Sequence, residues 1–177
     1  MAENLIEMPA IHLPPGEIYL ARTPAVLKTI LGSCVGVTFW SQRLSVGALC
    51  HGVLPKCPVG MQAPEAYRYV DFSISDLLRQ FGSLGVRGSE LEVRVFGGAD
   101  VVPALRENRC KPTVGKLNSE TAMEILQREG LNVMVSDLGG PVGRNIQFHT
   151  GTGEVVLRRL RQFHCGRPPN TEPLCQL

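Results

Sequence analysis

The sequence predicts an α+β fold built from mixed, largely antiparallel strands. Three observations carry this. Apolar runs come in pairs around short polar or glycine-rich turns, at residues 35–40 and 44–52 and again at 145–150 and 154–160. Short turns join antiparallel neighbours. Two stretches of helical periodicity, 65–81 and 119–129, are inserted between strand-like runs, an order that argues against a doubly wound parallel sheet. The chain has 177 residues, 44% of them hydrophobic, which suits one domain of ~100–200 residues with a full core.

Taken in order, residues 1–15 read as a flexible N-terminal arm, because Pro9, Pro14 and Pro15 discourage regular structure. Residues 17–22 and 26–30 read as the first two strands. Residues 35–40 and 44–52, rich in Val, Leu and aromatics, form a hairpin of buried or half-buried strands about a turn at Ser41-Gln42-Arg43. Residues 55–64 carry three prolines and a glycine. They read as a loop, either a wall beside His51 or a plain surface connection. In 65–81, Tyr69, Phe72, Leu77 and Phe81 fall near helical spacing with Ile74 and Leu78 beside them. Gly82 and Gly85 are stop signals.

Residues 91–96 alternate apolar with charged side chains, a period-two strand that runs into Gly97-Gly98. The stretch 101–111 has no clear periodicity. Residues 119–129 read as a helix with Asn118 or Ser119 as cap and Gly130 as stop. Its buried stripe would be Ala122, Ile125 and Leu126. Residues 131–135 are a further strand, 137–141 a turn cluster, and 145–150 with 154–160 a final hairpin about Gly151-Thr152-Gly153. The expected division is an arm at 1–15, one domain at 16–164 and a disordered tail at 165–177.

A formal charge of +2 argues against a dedicated nucleic-acid binder, which would concentrate basic residues on one face. Arg158, Arg159, Arg161 and Arg167 read as a solvated strand face and tail. The first residues lack a basic start followed by an apolar run. No stretch approaches the ~18 apolar residues that span a bilayer. A cytoplasmic protein without direct membrane insertion is expected. The six cysteines, at 34, 50, 57, 110, 165 and 175, are then expected as thiols.

The chemistry concentrates in the 35–52 hairpin. Pairing about Gln42 brings Cys34, just before one strand, near His51, at the end of the other. A thiol beside an imidazole is the minimum apparatus of a cysteine nucleophile. Either residue could instead be structural, the thiol as a small buried hydrophobe. Gly32 and Gly36 flank Cys34. They suggest tight backbone whose N–H groups could face a substrate oxygen. An imidazole base needs a group that fixes its tautomer. No carboxylate lies between residues 29 and 55. Thr29 could serve through its hydroxyl or its carbonyl, or be an ordinary strand residue.

Zinc is the chemical rival. Cys50, His51 and Cys57 are close in sequence, and His164-Cys165 adds two more candidate ligands. No C-x2-C or H-x3-H pair occurs, and adjacent strand residues face opposite ways. No metal and no cofactor is therefore expected. No G-x-G-x-x-G or Walker-type loop occurs either.

L-G-S-C-V-G-V at 31–37 and H-G-V-L-P at 51–55 resemble the signature of the CheD family of chemoreceptor glutamine deamidases. The likeness continues through F-G-G-A at 96–99, V-G-K-L-N at 114–118 and D-L-G-G-P-V-G-R at 137–144. It covers about residues 16–161. It implies a layered sandwich of sheets with helices packed on one side. It also implies a triad of Cys34 as nucleophile, His51 as base and Thr29 as the residue that orients it. The implied reaction is hydrolysis of glutamine side chains on the cytoplasmic helices of methyl-accepting chemoreceptors. The implied second partner is a CheC-type phosphatase, which leaves a non-catalytic adaptor as the alternative. A cysteine peptidase would share the nucleophile. The chain departs from the family pattern at Leu117, where an arginine is usual, at Asp100 and at Trp40-Ser41. None of these touches Cys34 or His51, so they bear on partner choice.

Overall fold

The computed structural model describes residues 8–101 and 111–160. Among these residues nine strands form two sheets. The first, in order β1-β3-β8-β9, contains β1 (Ala10–His12), β3 (Val26–Leu31), β8 (Arg144–His149) and β9 (Val155–Arg159). The second, in order β2-β5-β4-β6-β7, contains β2 (Ile18–Ala21), β5 (Val46–Gly52), β4 (Val35–Ser41), β6 (Leu91–Gly97) and β7 (Val133–Leu138). Pairing is antiparallel except for β1 with β3 and β6 with β7. Among the described residues the α-helices are α1 (Val70–Ser83) and α2 (Val114–Arg128). The α+β sandwich expected from the sequence is the observed architecture.

Side-chain alternation assigns the layers. In β4 and β5 every residue is buried, because both faces of the central strands are covered. Val35, Val37, Phe39, Ala48 and Cys50 pack with Ile74, Leu77 and Phe81 of α1 and Ala122, Ile125 and Leu126 of α2. Trp40 and Leu49 point the other way, onto Leu27, Leu31, Ile146 and Phe148 of the four-stranded sheet. The order is helices, five-stranded sheet, four-stranded sheet. Each fully buried Leu or Phe contributes about 1.5–3 kcal/mol of transfer free energy, so both layers hold the fold together.

Several local expectations are corrected. Residues 10–12 form β1, parallel to β3, although prolines surround them. Pro9 still offers its carbonyl to the Val26 N–H, and the missing proline N–H is harmless at a sheet edge. Residues 65–68 form a separate 3-10 turn, and α1 begins only at Val70. The second helix starts five residues earlier than predicted. Thr113 is its cap, its hydroxyl accepting from the Lys116 N–H, while Asn118 lies inside the helix and is buried. Gly115 lies in the first turn of this helix. A Cβ there would come within 2.6 Å of the Gly98 carbonyl oxygen, so the close approach requires glycine. β7 runs to Leu138, so Asp137 and Leu138 belong to a strand and not to the turn. The expectation for 165–177, and the stretch 102–110 left without assignment, lie outside the described residues. Neither described helix is long and apolar enough to cross a membrane.

Candidate functional site

The β4–β5 hairpin pairs Val35 with Gly52 and Gly36 with His51. The turn is longer than expected and occupies residues 42–45, with Ser45 at φ 50°. Cys34 and His51 are therefore diagonal neighbours and not direct partners. The pairing is centred between residues 43 and 44 and not on Gln42. In this register Cys34 and His51 fall on the same face of the sheet, whereas a slip of one residue would separate them. That face is the seam between the sheets. Cys34 is half-buried against the inter-sheet core of Leu31, Leu49 and Phe96.

His51 is 2% exposed. Thr29 reaches it from β3 of the opposite sheet, its Oγ1 lying 2.8 Å from His51 Nδ1. The same hydroxyl donates to the Leu13 carbonyl at 2.8 Å. A threonine hydroxyl has one hydrogen and a carbonyl only accepts. The Thr29 oxygen must then accept from Nδ1–H, and the neutral imidazole carries its lone pair on Nε2. Nε2 is buried and has no partner among the described residues. The hydroxyl, and not the Thr29 carbonyl, makes this contact. Leu13 lies in the segment predicted to be a loose arm. β1 and the bond from Leu13 N–H to the Lys28 carbonyl hold it in place.

Burial dominates the electrostatics. Desolvation pushes the Cys34 thiol above its ordinary value, and the residue's own backbone N–H only partly offsets this. Desolvation pushes His51 below its ordinary value, against the Leu13 carbonyl, which favours the charged ring; His12 adds a smaller push downward. Both shifts favour the neutral form, the thiol of Cys34 and the imidazole of His51. Such a pair suits proton abstraction at the moment of attack and not a standing ion pair.

The loop bearing Cys34 is held through its carbonyls. Gly32 O accepts from Ala99 N–H and Cys34 O from Gly98 N–H, both at 2.8 Å. A Cβ on Gly97, at φ 108°, would fall on the Cys34 carbonyl oxygen, so the Gly97-Gly98 pair is a close backbone approach. Asn118 of α2 donates from Nδ2 to Ser33 O at 3.0 Å and to Val53 O at 2.9 Å. Behind this, Gly139 N–H bonds Gly97 O. Arg144, 3% exposed, bonds Asp137 and the Gly139 and Val142 carbonyls. Sequence reasoning missed Leu13, Asn118 and Arg144 as parts of this neighbourhood. The only signal for the last two was their place in the quoted motifs.

The zinc ligands do not assemble. Cys50 packs in the helix layer and His51 lies in the seam, and among the described residues no group of three His, Cys, Asp or Glu could hold a metal. His164 and Cys165 lie outside the described residues.

Residues 53–159 match the family model described as CheD chemotactic sensory transduction. The match begins two residues past His51. Longer alignments cover the rest. A protein of Geobacter sulfurreducens named probable chemoreceptor glutamine deamidase CheD 2 is 40% identical over 156 residues, covering 88% of this chain and 93% of the relative. A probable chemoreceptor glutamine deamidase CheD of Maridesulfovibrio salexigens is 35% identical over 170 residues, covering 92% and 98%. One of Nitratidesulfovibrio vulgaris is 39% identical over 162 residues, covering 89% and 80%. With residues 53–159, more than half of the chain, matched by the family model and these relatives 35–40% identical over 88–92% of the chain, the chain belongs to the CheD family.

Proposed function

We propose that this protein is a cysteine-dependent deamidase. It hydrolyses glutamine side chains of methyl-accepting chemoreceptors to glutamate with release of ammonia. The relatives' names supply the reaction and substrate. The observation that carries the mechanism is the chain Leu13 O, Thr29 Oγ1, His51 Nδ1. It leaves Nε2 as the acceptor, on the face that Cys34 shares.

In this reading His51 Nε2 takes the Cys34 proton as sulfur attacks the side-chain amide carbon. The imidazolium formed is stabilised by the Thr29 oxygen and the Leu13 carbonyl, which acts as the charge-orienting group that a carboxylate supplies in other triads. His51 then protonates the leaving nitrogen and ammonia departs. A water, deprotonated by the same ring, hydrolyses the thioester to the carboxylic acid. No metal or cofactor enters any step. The substrate segments are the receptors' cytoplasmic helices, which places the protein's work in the cytoplasm.

The test is incubation of the purified chain with a receptor cytoplasmic fragment, followed by peptide mass spectrometry. Conversion of particular glutamines to glutamates is expected with wild type and not with Cys34→Ala. Unchanged glutamines with a competent receptor would overturn the proposal. Backbone cleavage would identify a peptidase instead. A CheC-type phosphatase remains a proposed partner. If its binding and its cellular effect survive Cys34→Ala while deamidation is lost, the chain carries both roles; if Cys34→Ala changes no phenotype at all, it is an adaptor.

A further inference from the structure

Asn118 is fully buried, yet its Oδ1 has no hydrogen-bond partner among the described residues. Its Nδ2 makes two bonds, to Ser33 O and Val53 O. Carbonyl oxygens only accept, so the NH2 end must face them and the amide cannot be turned to satisfy Oδ1. An apolar side chain of the same size would leave no orphaned atom. The residue makes sense through its two donations.

Those donations land on either side of the proposed chemistry. Ser33 immediately precedes Cys34, and Val53 follows His51 by two residues. One side chain thus ties the loop of the nucleophile to the strand end of the base. Ser33 O is also the middle of three consecutive carbonyls that are all held, Gly32 O by Ala99 N–H and Cys34 O by Gly98 N–H. A trans peptide points its N–H opposite to its C=O. With Ser33 O drawn onto Asn118 in α2, the N–H of the same peptide, which belongs to Cys34, is turned away from the helix. It belongs to the residue that carries the sulfur, and among the described residues no backbone carbonyl accepts it. A backbone N–H beside the attacking sulfur, held in place and unspent, has the placement an oxyanion donor needs.

We infer that Asn118 is the positioning residue of the oxyanion site, holding the Ser33–Cys34 peptide so that the Cys34 backbone N–H receives the oxyanion. This rests on Cys34 being the nucleophile. Attack forms the S–C bond and converts the amide C=O to C–O⁻, while the thiol proton passes to His51. The negative oxygen then accepts from the Cys34 N–H. Asn118 touches neither substrate nor sulfur and acts through the peptide it fixes.

The experiment compares wild type with Asn118→Leu, a substitution of similar size with no donors, using the full chain and a receptor cytoplasmic fragment. Loss of an oriented oxyanion donor is expected to lower kcat by about 10²–10³-fold, with KM unchanged. Alkylation of Cys34 by iodoacetamide, which builds no oxyanion, should keep its wild-type rate. Unchanged kcat, or a fall in kcat matched by an equal fall in alkylation, overturns the inference and leaves the deamidase reading standing. If the leucine variant does not fold, the wild-type protein decides. A receptor peptide whose target carboxamide is replaced by an aldehyde should form a thiohemiacetal with Cys34 and move the Cys34 amide proton downfield. An adduct that leaves this proton unmoved overturns the inference. No adduct at Cys34, or full activity in Cys34→Ala, removes the nucleophile reading and this one with it.

Discussion

Cys50 and His51 are neighbours in β5 and face different worlds. Cys50 points into the layer between sheet and helices, among Val37, Ile74 and Ile125. Its thiol is pushed up to about 12 by burial, which leaves it a small inert hydrophobe. His51 points into the seam between the sheets. There the buried polar groups Thr29, Thr38 and Arg144 alternate in phase with Leu27, Leu31, Trp40, Ile146 and Phe148. The helix-side layer gives the sheet its stability. The inter-sheet layer gives up some apolar contact to hold a polar chain across two sheets. Burial is equal on the two faces, so burial alone does not distinguish scaffold from chemistry; partners do.

The sharpest way to break this comparison is to treat the two cysteines alike. Cys34→Ala should lower deamidation by about 10³-fold or more, the scale of losing a nucleophile. Cys50→Ala removes a buried sulfur from the helix layer. It should cost about 1 kcal/mol of stability through the small cavity and leave kcat per folded molecule unchanged. Receptor deamidation and urea unfolding on both variants provide the check. Equal losses of kcat would mean that the two faces are not functionally distinct.

The next contrast is between two buried threonines of the seam. Thr29→Val keeps the shape and removes the group that receives His51 Nδ1–H. A fall in kcat of about 10²-fold is expected, the low end for disabling a general base, with Thr29→Ser restoring most of it. The hydroxyl of Thr38 is buried and has no partner among the described residues. Thr38→Val should therefore leave kcat alone and raise stability by about 1 kcal/mol, because an unsatisfied hydroxyl is removed. Thermal melts and steady-state rates separate the two. A rate loss in Thr38→Val comparable to Thr29→Val would show that packing, and not the hydrogen-bond chain, governs the site.

How far the sequence reached follows the same division. The hairpin, the strands flanking it and the residues Cys34 and His51 were readable because alternation and turn chemistry are local. The turn lies further along the chain than expected, and the observed register, centred past Gln42, is what brings Cys34 and His51 to one face. Thr29 was reached only through the family likeness, since nothing in residues 26–30 distinguishes it from a plain strand threonine. Leu13 contributes a backbone carbonyl, and no side-chain pattern can reveal that. Asn118 reads as a helix cap from sequence because asparagine favours that position just before the periodic run, whereas the helix begins at Val114. Its true partners, Ser33 and Val53, are 85 and 65 residues away. The two parallel pairings, β1 with β3 and β6 with β7, are equally nonlocal.

The smallest expected effect is the pH response, and it too separates the faces. The folded state lowers the proton affinity of His51 below the ordinary value of 6.5. Between the folded value and 6.5 the unfolded chain binds more protons, so stability rises with pH across that window and flattens above it. Activity should follow the same base. Neutral His51 persists below pH 6.5, so the acid limb of kcat/KM should lie under the ordinary imidazole value. The Cys34 thiol is raised from 9.0, and the thiol form is the one that reacts through the base. No alkaline loss is expected near 9.0, and uncatalysed alkylation of Cys34 should accelerate only above it. Cys50 should stay unmodified throughout, because its layer is closed to solvent. A kcat/KM profile centred on 6.5, or rapid alkylation of Cys34 at neutral pH, would show a standing thiolate–imidazolium pair, and the seam would then be a more polar place than its burial implies.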